Sequence, residues 1–269
     1  SPQWSPDKSQ LLYLTGKTVT TPCIGEQINL YNVSRGTSTE LYQSEHSICD
    51  AVWSTDGRYI IFIEENNDTS NLHIIDIDEH SIEQLQVDTP VVAISWYYFN
   101  DEIYYVGESD SELTIASINV DSKEVSEYHT ISDTDQLVWI DGPTSNNTLL
   151  VTATGDSTQI AIFDLDREQI IPVDSFPYLT FGRPRITSDG EMVVSPQLIN
   201  QNSQSIAQPS EISMNIYSTD NNGENPAIFR NSLVNDEELF SFNLSTNHAY
   251  IGRIVVREQP DKAFLQVSN

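Results

Sequence analysis

Five histidines, two cysteines and 40 acidic side chains are the residues of this 269-residue chain from which a reactive site would have to be assembled. The histidines are His46, His73, His80, His129 and His248, and none stands in an H-x-H or H-E-x-x-H spacing that would place two imidazoles on one zinc ion. There is no G-x-S-x-G nucleophile elbow, no phosphate-binding Gly-Lys loop and no G-x-G-x-x-G turn. Carboxylates are so numerous that any pair could be nominated for acid–base work, so none is singled out by the sequence. A calcium loop needs oxygen ligands at alternate positions around a glycine, and only STDNNGEN, from Ser218, comes near it. Intrinsic catalysis and a resident cofactor are therefore not the expected reading. Cys23 and Cys49 fit either a bridge or two buried thiols.

With 12 basic against 40 acidic residues the formal charge is -28, which repels nucleic-acid phosphates and anionic membrane surfaces. No run approaches the roughly 18 apolar residues of a membrane span, and no basic-then-apolar leader is present, so direct membrane insertion of this segment is not expected. The chain opens at Ser1 without a methionine, which reads as a trimmed or mature product. Asn-x-Ser/Thr sequons at Asn32, Asn67, Asn146 and Asn243 are no more than chance supplies in so Asn-, Ser- and Thr-rich a chain.

The elements that must carry these residues repeat. SPQWSPDKSQLLYL, DAVWSTDGRYIIFI and AISWYYFNDEIYYV align, with weaker copies in QLVWIDGPTSNNTLLV, RPRITSDGEMVVS and FSFNLSTNHAYIG. Their anchors are Trp4, Trp53, Trp96, Trp139, Ile186 and Phe242, spaced by 49, 43, 43, 47 and 56 residues. Each unit continues with a third apolar run (INLYNV, NLHIIDID, LTIASINV, QIAIFDLD, SMNIYSTD, AFLQVSN), and most with a fourth. Alternating β-branched and aromatic residues bounded by Asp, Asn, Gly and Ser are strands joined by hairpins. Four strands per unit of this length describe a propeller blade.

The motifs WSPDKSQLLYL and WSTDGRYIIFI resemble the W-S-P-D-G-x-x-I-x-F element of the TolB-like, or WD40-like, propellers, and NLHIIDID resembles their third-strand element. The likeness runs through the whole chain and is strongest in the first two units. It implies an all-β, six-bladed β-propeller of four-stranded antiparallel blades, with blades near residues 1–46, 47–90, 91–133, 134–180, 181–236 and 237–269. The sixth unit ends one strand short, so the last blade is expected to lack its outer strand. Asp-Gly at 56 and 189 suits the first hairpin turn, which needs positive φ. Asp76, Asp78, Asp121, Asp164, Asp166 and Asp220 recur after the third strand, where turn chemistry accounts for them.

In such a blade, the links between second and third strands and the links to the next blade emerge on one face, the face that usually carries function. That face would hold Glu45, Asp50, Asp88, Asp133, Asp135, Asp174, Asp236, Glu237 and Glu238, locally opposed by Lys17, Arg183 and Arg185. An acidic rim of this kind attracts a cation or a basic protein surface. His46 and His129 fall on the same face, and Tyr178, Phe181 and Arg183 form a contact cluster in one loop. Cys23 and Cys49 also fall there, in adjacent blades. If joined, they would close a loop of about 25 residues, stabilise by about 3 kcal/mol and place the chain in an oxidising compartment.

The expected function is a non-catalytic binding or sensing propeller, periplasmic or extracellular, that engages a protein partner or small ligand on its loop face as part of a larger, membrane-anchored regulatory protein. Two alternatives come from other classes. One is the substrate-gating propeller of a prolyl-oligopeptidase-like serine peptidase, whose hydrolase domain would lie beyond Asn269. The other is a small lyase with a metal at the channel mouth.

Overall fold

A computed structural model describes residues 2–16, 23, 25–66, 69–96, 101–109, 112–131, 137–154, 158–176, 184–186, 190, 192–199, 211–218, 227–231, 237–244, 251–257 and 263–268. Every element among the described residues is a β-strand. Two compact units divide at Pro143 and Thr144.

The first unit opens with β1 (Gln3–Trp4), β2 (Gln10–Thr15), β3 (Gly25–Asn32), β4 (Thr37–Trp53), β5 (Tyr59–Asn66), β6 (Thr69–Asp76) and β7 (Ser81–Leu85), which pair in sequence order as one seven-stranded antiparallel sheet. A four-stranded sheet follows, made of β8 (Val91–Trp96), β9 (Glu102–Ser109), β10 (Glu112–Asn119) and β11 (Val125–Ile131). β12 (Leu137–Asp141) lies beside β8 and ends the unit. In the second unit, β13 (Thr148–Thr154), β14 (Thr158–Asp164) and β15 (Gln169–Phe176) pair consecutively. β16 (Arg185–Ile186), β17 (Met192–Ile199), β18 (Glu211–Ser218) and β19 (Ala227–Asn231) make a four-stranded sheet. β20 (Glu237–Leu244), β21 (Ile251–Arg257) and β22 (Ala263–Ser268) make a three-stranded one among the described residues, the number expected of the last unit.

The anchors explain why the repeat is metric. Trp4 pairs with Leu11, Trp53 with Ile60, Trp96 with Ile103 and Ile186 with Val193, so each anchor meets the residue seven positions later across the first hairpin. Phe242 does not follow: it pairs with Arg253. Trp139 sits within β12, two residues before its end, whereas Trp4, Trp53 and Trp96 each end their strand. The turn of that unit begins later, at Thr144, after Gly142 and a cis peptide bond to Pro143.

The hairpin itself is a hydroxyl-centred device. Ser54 Oγ donates to Asp56 Oδ1 at 2.6 Å and accepts the Tyr59 amide at 2.8 Å, while Asp56 accepts the Arg58 amide at 2.9 Å. Ser5, Asp7 and Gln10 repeat that arrangement in the first unit, and Asp7 is correspondingly more acidic than usual, chiefly through the Ser5 hydroxyl. Among the described residues the fourth turn residue has positive φ in four units: Lys8 at 61°, Gly57 at 74°, Asn147 at 55° and Gly190 at 77°. A side chain there is strained, yet a Cβ at Gly57 would meet only Pro6 at an ordinary 3.5 Å. Gly57→Ala is therefore expected to cost about 1 kcal/mol and Lys8→Gly to gain about 0.5 kcal/mol. Their denaturant midpoints should move in opposite directions.

The turn after the third strand is equally regular. Asp76 Oδ1 accepts the amides of Asp78 and Glu79 at 3.0 and 2.9 Å, and Asp164 Oδ1 accepts those of Asp166 and Arg167 at 3.1 and 3.0 Å. Asn119 and Asn32 take the same position. These are Asx turns, so Asp76 and Asp164 are explained as turn residues, while Asp121 supplies only an amide to Asn119. Asp220 lies outside the described residues.

The structure differs from the expected loops most clearly at QSEHSICD, residues 43–50, expected as a link between blades: they lie inside β4, which runs through 17 residues from β3 to β5. Register shifts between Gly25 and Gln27, beside Ile28 and beside Ile48 bend the strand without ending it, and the ladder to β3 passes from Gln43 directly to Ile48. The core of this unit is built from Leu12, Ile28, Ile48, Trp53, Ile60, Phe62 and Ile75 around β4, and from Ile63, Leu72, Ile94, Ile103 and Ile118 around β8. In the second unit, Leu150, Ile160, Ile162, Ile186 and Val193 pack together.

Candidate functional site

The densest polar chemistry among the described residues gathers where the β2–β3 link, the middle of β4 and the end of β5 meet. The ladder explains it: Gly25 faces Ile48, Ile48 faces Glu64, and Ser47 faces Glu65. Side chains alternate along a strand, so the neighbours Glu64 and Glu65 serve opposite faces of the same sheet.

On the Glu64 face, the glutamate side chain is 11% exposed. Its Oε1 accepts the Tyr42 hydroxyl at 3.0 Å and the Ser44 hydroxyl at shorter range, and Oε2 lies 3.5 Å from His73 Nε2. Phe62 is the floor, stacked on His73 at 4.9 Å and tilted against Tyr42 at 5.0 Å. Burial, then the Glu64 hydrogen bond, pushes the Tyr42 hydroxyl above its ordinary range. Burial lowers the His73 pKa, and Glu64 opposes it in part. The Ser44 hydroxyl donates to the Glu64 carboxylate.

His73 gives a pH prediction with a definite sign. Its folded pKa lies below that of the unfolded chain, about 6.5, so the unfolded state binds the proton more readily. The His73 contribution is present in full above that pH and is lost as the pH falls through the folded value. Unfolding curves between pH 7.5 and 5 should show stability falling with acid, and His73→Phe, which keeps a ring on Phe62, should flatten that slope.

On the Glu65 face, Cys23 and Cys49 are joined as a disulfide, with Cα atoms 3.7 Å apart. The pairing that the strand register allowed is the one formed, and the alternative of two buried thiols is set aside. Glu65 Oε2 lies 2.7 Å from the Cys23 sulfur and 3.7 Å from that of Cys49. These three side chains are also the one set of three potential metal-ligating groups clustered within 4.8 Å among the described residues, but the sulfurs are bonded to each other.

Of the rim residues nominated from sequence, Glu45 is exposed on β4 and Asp88 is exposed between β7 and β8. Asp88 and Glu127 both act on buried Tyr105, whose pKa burial pushes up to about 12. Asp50 is not on a rim: it is 7% exposed inside β4, because the bulge beside Ile48 turns it inward, where it accepts the Ala51 amide at 2.8 Å. His46 lies on β4, its amide donating to Ser44 Oγ at 2.7 Å, and His129 lies on β11 opposite Ile115, so the two sit in different sheets. Arg185 begins β16, Asp174 falls in β15, and Glu237 and Glu238 open β20 opposite Arg257 and Val256. Lys17, Asp133, Asp135, Tyr178, Phe181, Arg183 and Asp236 lie outside the described residues, as does STDNNGEN after Ser218.

Tyr42, Ser44, Glu64, Glu65 and His73 were not nominated. A signal existed: two adjacent glutamates end the apolar run IIFI, and alternation obliges one of them to face the interior, where it needs donors.

No protein-family profile matches the sequence, and no curated protein is similar to it. Solved structures are similar over nearly the whole chain. TolB from Acinetobacter baumannii matches 97% of this chain at 13% identity with a TM-score of 0.64, and the chain spans 64% of its length. A TolB-type protein from Agrobacterium tumefaciens matches 100% of the chain and 90% of its own at 14% identity, with a TM-score of 0.66. The chain has the TolB-like β-propeller fold. An oligogalacturonate lyase in complex with manganese shares that propeller architecture over 99% of this chain and 75% of its own, at 11% identity and a TM-score of 0.58. Among the described residues of this propeller, no helix is long and apolar enough to cross a membrane.

Proposed function

We propose that this chain is a non-catalytic binding or sensing propeller of six blades that works outside the cytoplasm, periplasmic or extracellular, within a larger membrane-anchored regulatory protein. It engages a protein or small ligand on the end of the strands that carries the Cys23–Cys49 bridge. That bridge is the observation carrying the reading. A disulfide is kept in an oxidising compartment, and this one ties Cys23, between β2 and β3, to Cys49 on β4. Holding a binding loop in place beforehand lowers the ordering cost of association. The charge of -28, with Glu45 and Asp88 exposed at that end, suits a partner with a basic surface.

Photo-crosslinking tests it. A photoreactive side chain at Glu45 or Asp88 is expected to capture a partner from an extracytoplasmic extract of the source cells, whereas one at Arg35 or Asp121, in third-to-fourth strand turns, is not. Equal capture from both ends, or capture only from Arg35 and Asp121, would overturn the assignment of the face.

A further inference from the structure

We infer that the Cys23–Cys49 bridge is an exchangeable disulfide, opened by a small-molecule thiol at Cys49 and poised toward reduction by Glu65. Two observations carry this, and neither depends on what the propeller binds. The first is asymmetric access. Cys23 is 1% exposed, whereas Cys49, packed against the core, is only partly buried, so Cys49 is the less covered of the two residues and the expected point of attack, with Cys23 as the leaving group. The second is the carboxylate. Glu65 Oε2 stands 2.7 Å from the Cys23 sulfur. In the disulfide no proton lies between them, so the carboxylate oxygen meets a sulfur that cannot donate. In the dithiol, the Cys23 S–H donates to that oxygen, and a charged acceptor makes the bond stronger than a neutral one would. The carboxylate therefore gains a partner only when the bridge opens.

The chemistry balances with a monothiol. Its thiolate attacks Cys49 Sγ, the S–S bond breaks as the mixed disulfide forms, and the electron pair leaves on Cys23 Sγ. The proton lost by the attacking thiol is taken up on that sulfur, which presents it to Glu65. A second thiolate then attacks the added sulfur of the mixed disulfide. It leaves as the oxidised thiol dimer, and Cys49 takes up a proton as a thiol. Two thiols are oxidised for one bridge reduced. Opening the bridge removes the covalent tie between Cys23 and β4, which makes that tie responsive to the thiol balance of the compartment.

The native chain, equilibrated in glutathione buffers of graded ratio and quenched by alkylation, tests both halves. The dithiol is expected to form without denaturant, and a glutathione adduct trapped at short times should map to Cys49. Glu65→Ala should shift the equilibrium about tenfold toward the disulfide, with Glu65→Gln between it and the parent. Circular dichroism and a melting curve on each variant establish that it is folded. If Glu65→Ala does not fold, the adduct position and the opening of the parent chain still decide. A bridge that opens only on denaturation, an adduct on Cys23, or unchanged equilibria in folded Glu65 variants would each overturn the inference.

Discussion

Replacing Phe62 with alanine is expected to destabilise the first unit by about 3–5 kcal/mol, a large share of what a domain of this size has to lose. Phe62 is fully buried and belongs to the β4 core, so truncation removes its transfer energy and leaves a void. The neighbours amplify the loss. His73 and Tyr42 each rest a ring on Phe62 and each address Glu64, so water entering the space would reach a glutamate side chain now held at 11% exposure. Urea unfolding measures the first effect. The second should appear as a His73 titration that moves back toward its ordinary range, because burial is the main cause of its displacement. A cost below about 1 kcal/mol would mean that the strands collapse onto the gap, and the account of this floor would fail.

Trp53→Ala is the second large effect, again about 3–5 kcal/mol. The side chain is 7% exposed at the end of β4, and its indole Nε1 donates to the Gln3 carbonyl at 3.3 Å. Gln3 returns a bond from its Nε2 to the Ala51 carbonyl at 2.9 Å, so the first and fourth strands are tied by side chains as well as by packing. Trp53→Phe keeps most of the plug and loses the donor, and should cost about 1 kcal/mol. Trp4→Ala should cost less than Trp53→Ala, since Trp4 is only partly buried. Equilibrium denaturation of the three variants checks the order.

The strands were legible because four of the anchors, Trp4, Trp53, Trp96 and Ile186, are followed by a turn of fixed length, which writes the pairing of Trp53 with Ile60 into the sequence as a spacing. The same rule shows why Trp139 was misleading as an equivalent: Gly142 and Pro143 push the turn to Thr144, and the anchor no longer ends its strand. The bridge was legible for a similar reason, since register alone placed Cys23 and Cys49 in adjacent positions. The polar cluster was not. Its members come from β4, β5 and β6 and meet through a bulge beside Ile48, and a bulge has no composition of its own. Asp50 was misplaced by that same bulge, because a one-residue shift exchanges the faces of everything beyond it.

The unbroken course of β4 also bears on where the chain can be cut. In a propeller whose blades are joined by surface links, a protease finds its substrate between blades, where the backbone is free to enter an active-site cleft. From Ser44 to Asp50 the chain runs on within β4: the ladder to β3 passes from Gln43 to Ile48, the ladder to β5 begins at Ser47, and the sulfur bridge joins Cys49 to Cys23. A cut from Ser47 onward requires the β5 ladder to part first, and a cut just before it leaves the two pieces joined through the bridge, so the first two repeats should stay together in limited digestion without reductant, and any attempt to trim the protein by one repeat at this junction would cut through shared sheet.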